Sequence, residues 1–451
     1  MSSPGRPKSE FRSAQHEGTP VSTRPLREAL ARAAYSLLLR LLLPAYLLRL
    51  WRRGRAEPLY RHALAERFGF YAAAPSAGWV WVHAVSLGET RAASTLIDAL
   101  RVEHPGMRLL LTHGTATGLE AGAALLRDGD QQTWLPYDTP GATRRFLAQF
   151  RPALGVLMET EVWPNLLHTA QAQQVTMVLA NARLSRRSFA RGERFAVLLR
   201  PAARSLALVL AQTDDDAQRI AASGAAPVEV CGNLKFDMAP EPALLAQGRA
   251  WHEGLGRDVV LAAVTREGEE AMLLSAWTRH TGVSRPLLLI VPRHPQRFDE
   301  VAAQVRAAGL SLARRSAWAG TPPADAAQAD VWLGDSMREM ALYYATAQVA
   351  LLGGSFEPLG GQNLIEAAAC GCPVVMGPHT FNFAEAAELA LAAGAALRVT
   401  DMADGVDTAL RLLADAPRRA QAVAQAARFA ATHQGAARRM AHRVAGLLKP
   451  T

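Results

Sequence analysis

The stretch that decides the fold runs from Gly353 to Phe383, GGSFEPLGGQNLIEAAACGCPVVMGPHTFNF. An apolar run, Val349 to Leu352, stops at Gly353-Gly354; a second pair, Gly360-Gly361, precedes Asn363, and Leu364 to Ala369 reads as a helix. Strand, glycine loop and helix start gather several backbone N–H groups in one place. Glycine lets the backbone approach a ligand closely, and a helix N-terminus favours an anion. Glu366 falls one turn after Asn363 on the same helical face. A carboxylate there suits a neutral diol, such as a ribose, better than a phosphate. Taken alone, Asn-x-x-Glu reads first as a capping asparagine with a dipole-pairing glutamate. With both glycine pairs, Pro373 and the Gly377-Pro378-His379 turn around it, the stretch reads as a nucleotide site.

Working outward, the same alternation recurs. DVVLAAV (Asp258–Val264), PLLLIVP (Pro286–Pro292), ADVWLGD (Ala329–Asp335), QVALLGG (Gln348–Gly354) and PVVMG (Pro373–Gly377) are short continuous apolar runs separated by helical patterns. Upstream, Trp79–Val85, Arg108–His113, Leu154–Met158, Val175–Ala180 and Leu206–Ala211 do the same, with helical stretches such as Glu89–Arg101 and Ala217–Ser223 between them. Continuous apolar runs of this length are strands buried on both faces of a parallel sheet. The chain therefore predicts two doubly wound, Rossmann-like α/β domains, residues 57–240 and 241–451, with a ligand cleft between them. The Ala/Arg-rich segment Ala416 to Leu448 is expected to be helical and to close over the outside of the second domain.

Half of the 451 residues are hydrophobic and a fifth are charged, which excludes a disordered chain. Three cysteines are too few for a disulfide framework, and Cys370-Gly371-Cys372 lacks metal-ligand spacing, so a reducing compartment is expected. The net charge of +9 is unevenly placed: residues 1–60 hold eleven Lys/Arg against four Glu. No nucleic-acid-reading motif accompanies it and aromatics are sparse, so the expected partner is an anionic membrane surface and not nucleic acid. Residues 1–26 read as a disordered tail. YSLLLRLLLPAYLLRLW (Tyr35–Trp51) is leucine-rich but broken by Arg40, Pro44 and Arg49. Residues 27–56 are therefore expected to form an amphipathic region lying in the interface, arginines at the headgroups; an ordinary buried helix is the alternative.

In open parallel sheets reactive residues sit at the carboxyl ends of strands. There the first half carries Ser86-Leu87-Gly88-Glu89, Glu159-Thr160-Glu161, Asn181-Ala182-Arg183 and Gly232-Asn233-Leu234-Lys235. Glu89 is the candidate base, with Glu159 and Lys235 as charge-stabilising groups. Each glutamate at a helix start reads singly as a dipole partner; three groups at strand ends of one domain read as a site. The second half carries Pro292-Arg293-His294-Pro295, where Arg293 between prolines suits a phosphate clamp or a surface salt bridge. The strand ends hold no His/carboxylate cluster with metal-ligand spacing, so neither a catalytic metal nor a cofactor is expected.

Eight ordered motifs from about Leu50 onward resemble the 3-deoxy-D-manno-octulosonic acid (Kdo) transferase family. They are SLGE (Ser86–Glu89), METEVWPN (Met158–Asn165), NARLSRRS (Asn181–Ser188), GNLKFD (Gly232–Asp237), PRHPQRF (Pro292–Phe298), GDSMRE (Gly334–Glu339), GGQNLIEAA (Gly360–Ala368) and GPHTFNF (Gly377–Phe383). The resemblance implies a glycosyltransferase-B fold and inverting transfer of Kdo from CMP-Kdo to the lipid A precursor, lipid IVA, in lipopolysaccharide synthesis. It implies a peripheral or N-terminally anchored place on the cytoplasmic face of a Gram-negative inner membrane. Carried over motif by motif, Glu89 matches the family's proton acceptor, and Glu159 and Lys235 its transition-state stabilisers. Pro292 and Arg293, Met337, Arg338 and Glu339, and Asn363, Leu364, Ile365 and Glu366 match its CMP-contacting segments. This chain departs from the family at Gln362 (usually His), at Val264-Thr265-Arg266 (usually Ser-Thr-His) and at Arg338 (usually Gly). Two rival readings are another sugar-nucleotide enzyme of the fold, such as a lipid A disaccharide synthase or an epimerase, and a catalytically dead membrane-bound nucleotide sensor.

Overall fold

A computed structural model of the chain describes residues 24–280 and 286–448. The first sheet contains β1 (Trp79–His83), β2 (Arg108–His113), β3 (Gln131–Trp134), β4 (Leu154–Met158), β5 (Thr176–Ala182), β6 (Leu208–Ala211) and β7 (Val228–Val230). All are parallel, in the order β3-β2-β1-β4-β5-β6-β7. The second contains β8 (Val259–Thr265), β9 (Leu287–Pro292), β10 (Leu312–Arg314), β11 (Val331–Leu333), β12 (Val349–Leu352), β13 (Val374–Met376) and β14 (Ala396–Arg398), ordered β10-β11-β9-β8-β12-β13-β14. The chain order reverses direction at β1/β4 and at β8/β12, the positions at which doubly wound sheets bind ligands beyond their strand ends. This is the two-domain, doubly wound α/β architecture expected from the sequence.

The strands read as unbroken apolar runs because helices cover both faces of each sheet. Along β1, Trp79 and Trp81 join one core cluster while Val80 and Val82 join another on the opposite face. β8 divides in the same way, Val259, Leu261 and Ala263 to one side, Val260 and Ala262 to the other.

Two expectations need correction. The tail assigned to residues 1–26 lies outside the described residues except at its end, where Arg24 already begins helix α1 (Arg24–Arg53). The closing helix divides between the domains. Helix Ala416–Thr432 stays with the second, burying Ala426, Phe429 and Ala430 in its core. Helix Ala436–Ala445 crosses back and packs Ala436, Ala437, Met440, Ala441 and Val444 into the first domain's core, against helix α2 (Leu87–Glu103). Its small residues recur at helical spacing and so permit a close approach to α2. The Asp237 carboxylate accepts from the Gly435 and Ala437 N–H groups, pinning the start of this helix to the end of the first domain.

Helix α1 is continuous through Pro44, and by length and composition it suffices to cross a membrane. It is nevertheless tied to the first domain along its length. Glu28 meets Arg204 at 3.5 Å, the Tyr35 hydroxyl donates to Asp138 at 3.0 Å and Ser36 to Asn165 Oδ1 at 3.1 Å. Tyr46 stacks edge-on against Tyr137, and Leu50 is buried with Tyr60. Its outer face exposes Leu30, Leu37, Leu38, Leu41, Leu42 and Leu48.

Candidate active site

The first domain brings its predicted groups together at the ends of β1, β4 and β5. Ser86 caps α2, its hydroxyl accepting from the Glu89 N–H at 3.4 Å, and Glu89 Oε2 accepts in turn from the Val85 N–H at 2.6 Å. This reciprocal cap fixes the carboxylate at the mouth. Burial pushes the Glu89 pKa up, the Val85 N–H pulls it down, and the charge on Glu159 raises it again against a pull from Arg183. Glu159 follows β4 with a left-handed backbone (φ 56°), is buried, and holds Arg183 Nε at 2.8 Å. Non-glycine residues in that region are sparse and concentrate at functional sites.

Glu161, the second carboxylate of the METEVWPN motif, had no assigned role from the sequence. Burial, and then the charge on Glu89, pushes its pKa up to about 7. Its Oε2 lies 3.9 Å from His83 Nε2. Burial lowers the His83 pKa to about 3, so the ring is neutral. Nδ1 of that ring lies 2.9 Å from the Thr112 hydroxyl, while Nε2 has no hydrogen-bond partner. Asn165 of the same motif is not at the reaction centre. Its N–H donates to Asp138 at 3.1 Å and its side chain accepts from Ser36, so it joins α1 to the domain.

Lys235 is positioned by a relay of side-chain amides. Asn181, another left-handed residue (φ 52°), accepts at Oδ1 from the Leu234 N–H at 3.1 Å. The Asn181 carbonyl accepts from Gln212, whose Oε1 accepts from Asn233 at 2.9 Å. Asn233 caps the 3-10 turn Leu234–Asp237 by accepting from the Lys235 N–H at 3.0 Å. The NAR and GNLKFD motifs are thus one hydrogen-bonded unit.

In the second domain the glycine loop is built differently from the sequence expectation. Its first N–H groups are not free for an anion. Glu269, fully buried, accepts from the N–H groups of Gly354 at 2.7 Å, Arg266 at 2.9 Å and Phe356 at 3.1 Å. Gly353 is required because a Cβ there would lie 2.3 Å from the Val264 carbonyl oxygen. Val264 itself is left-handed (φ 59°), at the bulge where the β8/β9 register shifts. Two of the family departures converge here, since a Cβ on Gly354 would approach Gln362 Nε2 at 3.2 Å and Arg266 Cγ at 3.6 Å.

Asn363 caps helix Leu364–Ala369, accepting from the Ile365 N–H at 3.2 Å. Leu364 and Ile365 are 1% and 2% exposed and their side chains belong to the core, so only their backbones face the loop. Pro292 ends β9 and is buried, while Arg293 after it stands exposed. The buried ion pair of this loop is made by Arg297 instead, to Glu270 at 2.8 Å. Met337 and Arg338 are exposed, and Arg338 is left-handed (φ 67°). Glu339 is already engaged, by Arg315 at 2.8 Å, by Tyr343 at 3.2 Å and by Ser336.

The two halves meet across the cleft. Segment Leu234–Asp237 packs against helix Leu364–Ala369, and Lys235 Nζ lies 5.3 Å from the centre of the Phe383 ring. Burial raises the Glu366 pKa, opposed by the charge of Arg91, two residues beyond Glu89 on α2. Helix α2, which carries the base candidate, therefore also carries a charge that acts on the ribose candidate of the other lobe.

Residues 62–238 match the family described as 3-deoxy-D-manno-octulosonic-acid transferase (kdotransferase), and residues 334–449 a glycosyl transferase-like family. The 3-deoxy-D-manno-octulosonic acid transferase of Bordetella pertussis is 52% identical over 91% of this chain and 98% of its own length. That of Haemophilus influenzae is 35% identical over 79% of this chain and 84% of its own. This chain belongs to the 3-deoxy-D-manno-octulosonic acid transferase family. A glycosyltransferase from Rickettsia africae, 11% identical, superposes over 83% of this chain and 100% of its own with a TM-score of 0.55. That likeness is one of fold, and the fold is glycosyltransferase-B. The chain is thus an enzyme of sugar transfer whose two parallel sheets follow the architecture of its class.

Proposed function

We propose that this Kdo transferase moves Kdo from CMP-Kdo to a hydroxyl of lipid IVA with inversion, Glu89 acting as the base. The observation that carries the assignment is the carboxylate group at the first sheet's mouth. Glu89 is clamped by its own helix cap and its proton affinity is raised. A sugar hydroxyl is a poor nucleophile until a base takes its proton. Glu89 takes that proton as the oxygen attacks the anomeric carbon from the face opposite CMP. The bond from that carbon to the phosphate oxygen breaks, and CMP leaves with the electron pair. Arg293 and the helix starts of the second domain hold the departing phosphate. Lys235 and the Glu159–Arg183 pair fix the charges around the transition state. Glu366 holds the ribose hydroxyls, and residues 241–432 form the donor lobe. Incubating the purified enzyme with lipid IVA and either CMP-Kdo or UDP-sugars tests this. CMP release with CMP-Kdo alone is expected. Turnover of a UDP-sugar would support a different transferase or epimerase, and binding without turnover a sensor.

The same reading puts the enzyme on the cytoplasmic face of the inner membrane, α1 lying flat. A helix tied to its domain at residues 28, 35, 36, 46 and 50 cannot cross the bilayer while docked, and its exposed leucines form a stripe for the acyl boundary. Leu37→Ser/Leu41→Ser should release the protein from vesicles with its fold intact. Unchanged sedimentation would place the anchor elsewhere.

A further inference from the structure

A groove runs beneath α1, between it and helices Pro140–Phe150 and Pro164–Ala172, with a volume of about 520 Å³. α1 contributes Arg32, Ser36 and Arg40 to its wall, and the domain contributes Arg144 and His168. A smaller cavity of about 200 Å³ continues it past Arg32 toward Leu198 and Pro201. Among the described residues, no carboxylate pairs with Arg32, Arg40 or Arg144. Glu28, one turn before Arg32, is engaged by Arg204. Burial lowers the Arg32 pKa, so its guanidinium gives up water without gaining an anion. Arg32 is half-buried and Arg40 and Arg144 stand exposed at the rim, so the groove presents three positive charges that an anionic ligand would complement.

The groove also has a position relative to the leucine stripe. Ala29, Arg32, Ser36 and Arg40 follow one another at helical spacing on one face of α1. Leu30, Leu37, Leu41 and Leu48 define a second face about a quarter-turn away at 3.6 residues per turn. An amphiphile whose chains lie along the leucines would bring its head to the arginines.

We infer that this groove binds the phosphate headgroup of an anionic bilayer phospholipid. The groove thereby fixes how α1 and the catalytic domain sit on the surface. The inference rests on the membrane reading above but can fail separately from it. Partition of the full chain onto phosphatidylglycerol and phosphatidylcholine vesicles tests both. Arg32→Ala/Arg144→Ala should lower partition onto the anionic vesicles by more than the twenty- to thirtyfold that diffuse attraction supplies at roughly fivefold per arginine. Partition onto the zwitterionic vesicles should barely change. Arg27→Ala/Arg49→Ala removes the same charge from the exposed side of the helix and should cost distinctly less. Equal losses in the two double variants would overturn the groove, since diffuse attraction would then explain everything. No loss in the groove variant would overturn it while leaving membrane binding intact. A wild-type chain that binds neither vesicle would remove both readings. Inorganic phosphate at matched ionic strength should compete with vesicles for the wild type and not for the groove variant; failure to compete would show that the groove does not recognise phosphate. Should the double variant not fold, Arg144→Gln, on the exposed rim, carries the same test, with a loss greater than the roughly fivefold of diffuse attraction expected and a loss no greater than that of Arg27→Gln overturning the groove.

Discussion

The two lobes handle their carboxylates in opposite ways. At the mouth of the first sheet, Glu89 and Glu161 are crowded together with raised proton affinities, beside a histidine nitrogen and the Asn181 Nδ2 that have no hydrogen-bond partner. At the mouth of the second, Glu269 accepts from three backbone N–H groups, Glu270 is clamped by Arg297 and Glu339 by Arg315. Unsatisfied charge costs stability and persists where chemistry uses it. Satisfied charge instead holds loops in shape. The first lobe therefore keeps Glu89 and Glu161 for proton transfer, and the second uses Glu269, Glu270 and Glu339 as struts and leaves recognition to Glu366 and to exposed groups such as Arg293.

The sharpest test exchanges one acid in each lobe. Glu89→Gln should lower turnover by ~10²–10⁴, the usual contribution of a general base, while thermal stability at neutral pH is equal or higher and CMP binding is retained. Near-normal turnover would end its assignment as the base. The pH profile adds a sign. A base works only when deprotonated, so kcat/KM should fall as pH drops through a Glu89 pKa lying above the ordinary carboxylate range. Arg183→Ala removes the cation that opposes this rise and should move the acid limb to higher pH. Glu159→Gln removes a neighbouring negative charge and should move it lower. An acid limb unmoved by both variants would detach it from Glu89.

Glu269→Ala should act on the fold instead. Buried donors left without an acceptor cost roughly 1–3 kcal/mol each, and this substitution orphans three, so a loss of about 3 kcal/mol or more in urea unfolding is expected. Full stability with lost turnover would reverse the comparison, making Glu269 a ligand-facing acid. In the donor pocket the effects are smaller. Glu366→Ala should weaken CMP and cytidine alike, by about 1.5–3 kcal/mol, the size of a hydrogen bond to a charged group. Arg293→Ala should weaken CMP much more than cytidine, because only CMP carries the phosphate. Calorimetric titration of both ligands against both variants separates the two roles, and equal losses for Arg293→Ala would assign the phosphate to another group.

What the sequence made legible follows from where burial is complete. The five strands read in each domain are the interior strands of each sheet. The four that escaped notice, β3, β7, β10 and β14, are the four sheet edges, half-exposed and three or four residues long. An edge strand needs no continuous apolar run, so QQTW or LAR carries no signal. The candidate residues at strand ends were legible for a related reason: a buried strand marks its own terminus. The role of Glu269 was not, because an acid at a helix start reads as a dipole partner, and two of the three N–H groups it accepts from lie in a loop more than eighty residues away. Nor was the return of helix Ala436–Ala445 to the first domain, since an Ala-rich stripe fits either sheet equally well. That partner was decided by Asp237, which reaches across about two hundred residues of sequence to its first turn.

The smallest expected effect concerns Arg338, where shape and charge can be told apart. Its backbone is left-handed (φ 67°) and its side chain exposed, at a position where the motif resemblance implies glycine. Left-handed backbone costs a non-glycine residue about 1–2 kcal/mol, and glycine gives back part of the gain through its more flexible unfolded state. Arg338→Gly should therefore stabilise the protein by about 0.5–1 kcal/mol in urea unfolding. If the second lobe recognises the donor here through backbone shape, the donor constant should stay the same, because glycine preserves the loop and removes only a guanidinium. A donor constant raised by more than about threefold, ~0.7 kcal/mol, with stability improved as expected, would make that guanidinium part of the phosphate clamp. The departure from glycine would then be a gain in charge recognition set against backbone strain, and the second lobe would carry one functional group held, like Glu159 and Asn181 in the first, by a strained residue at a strand end.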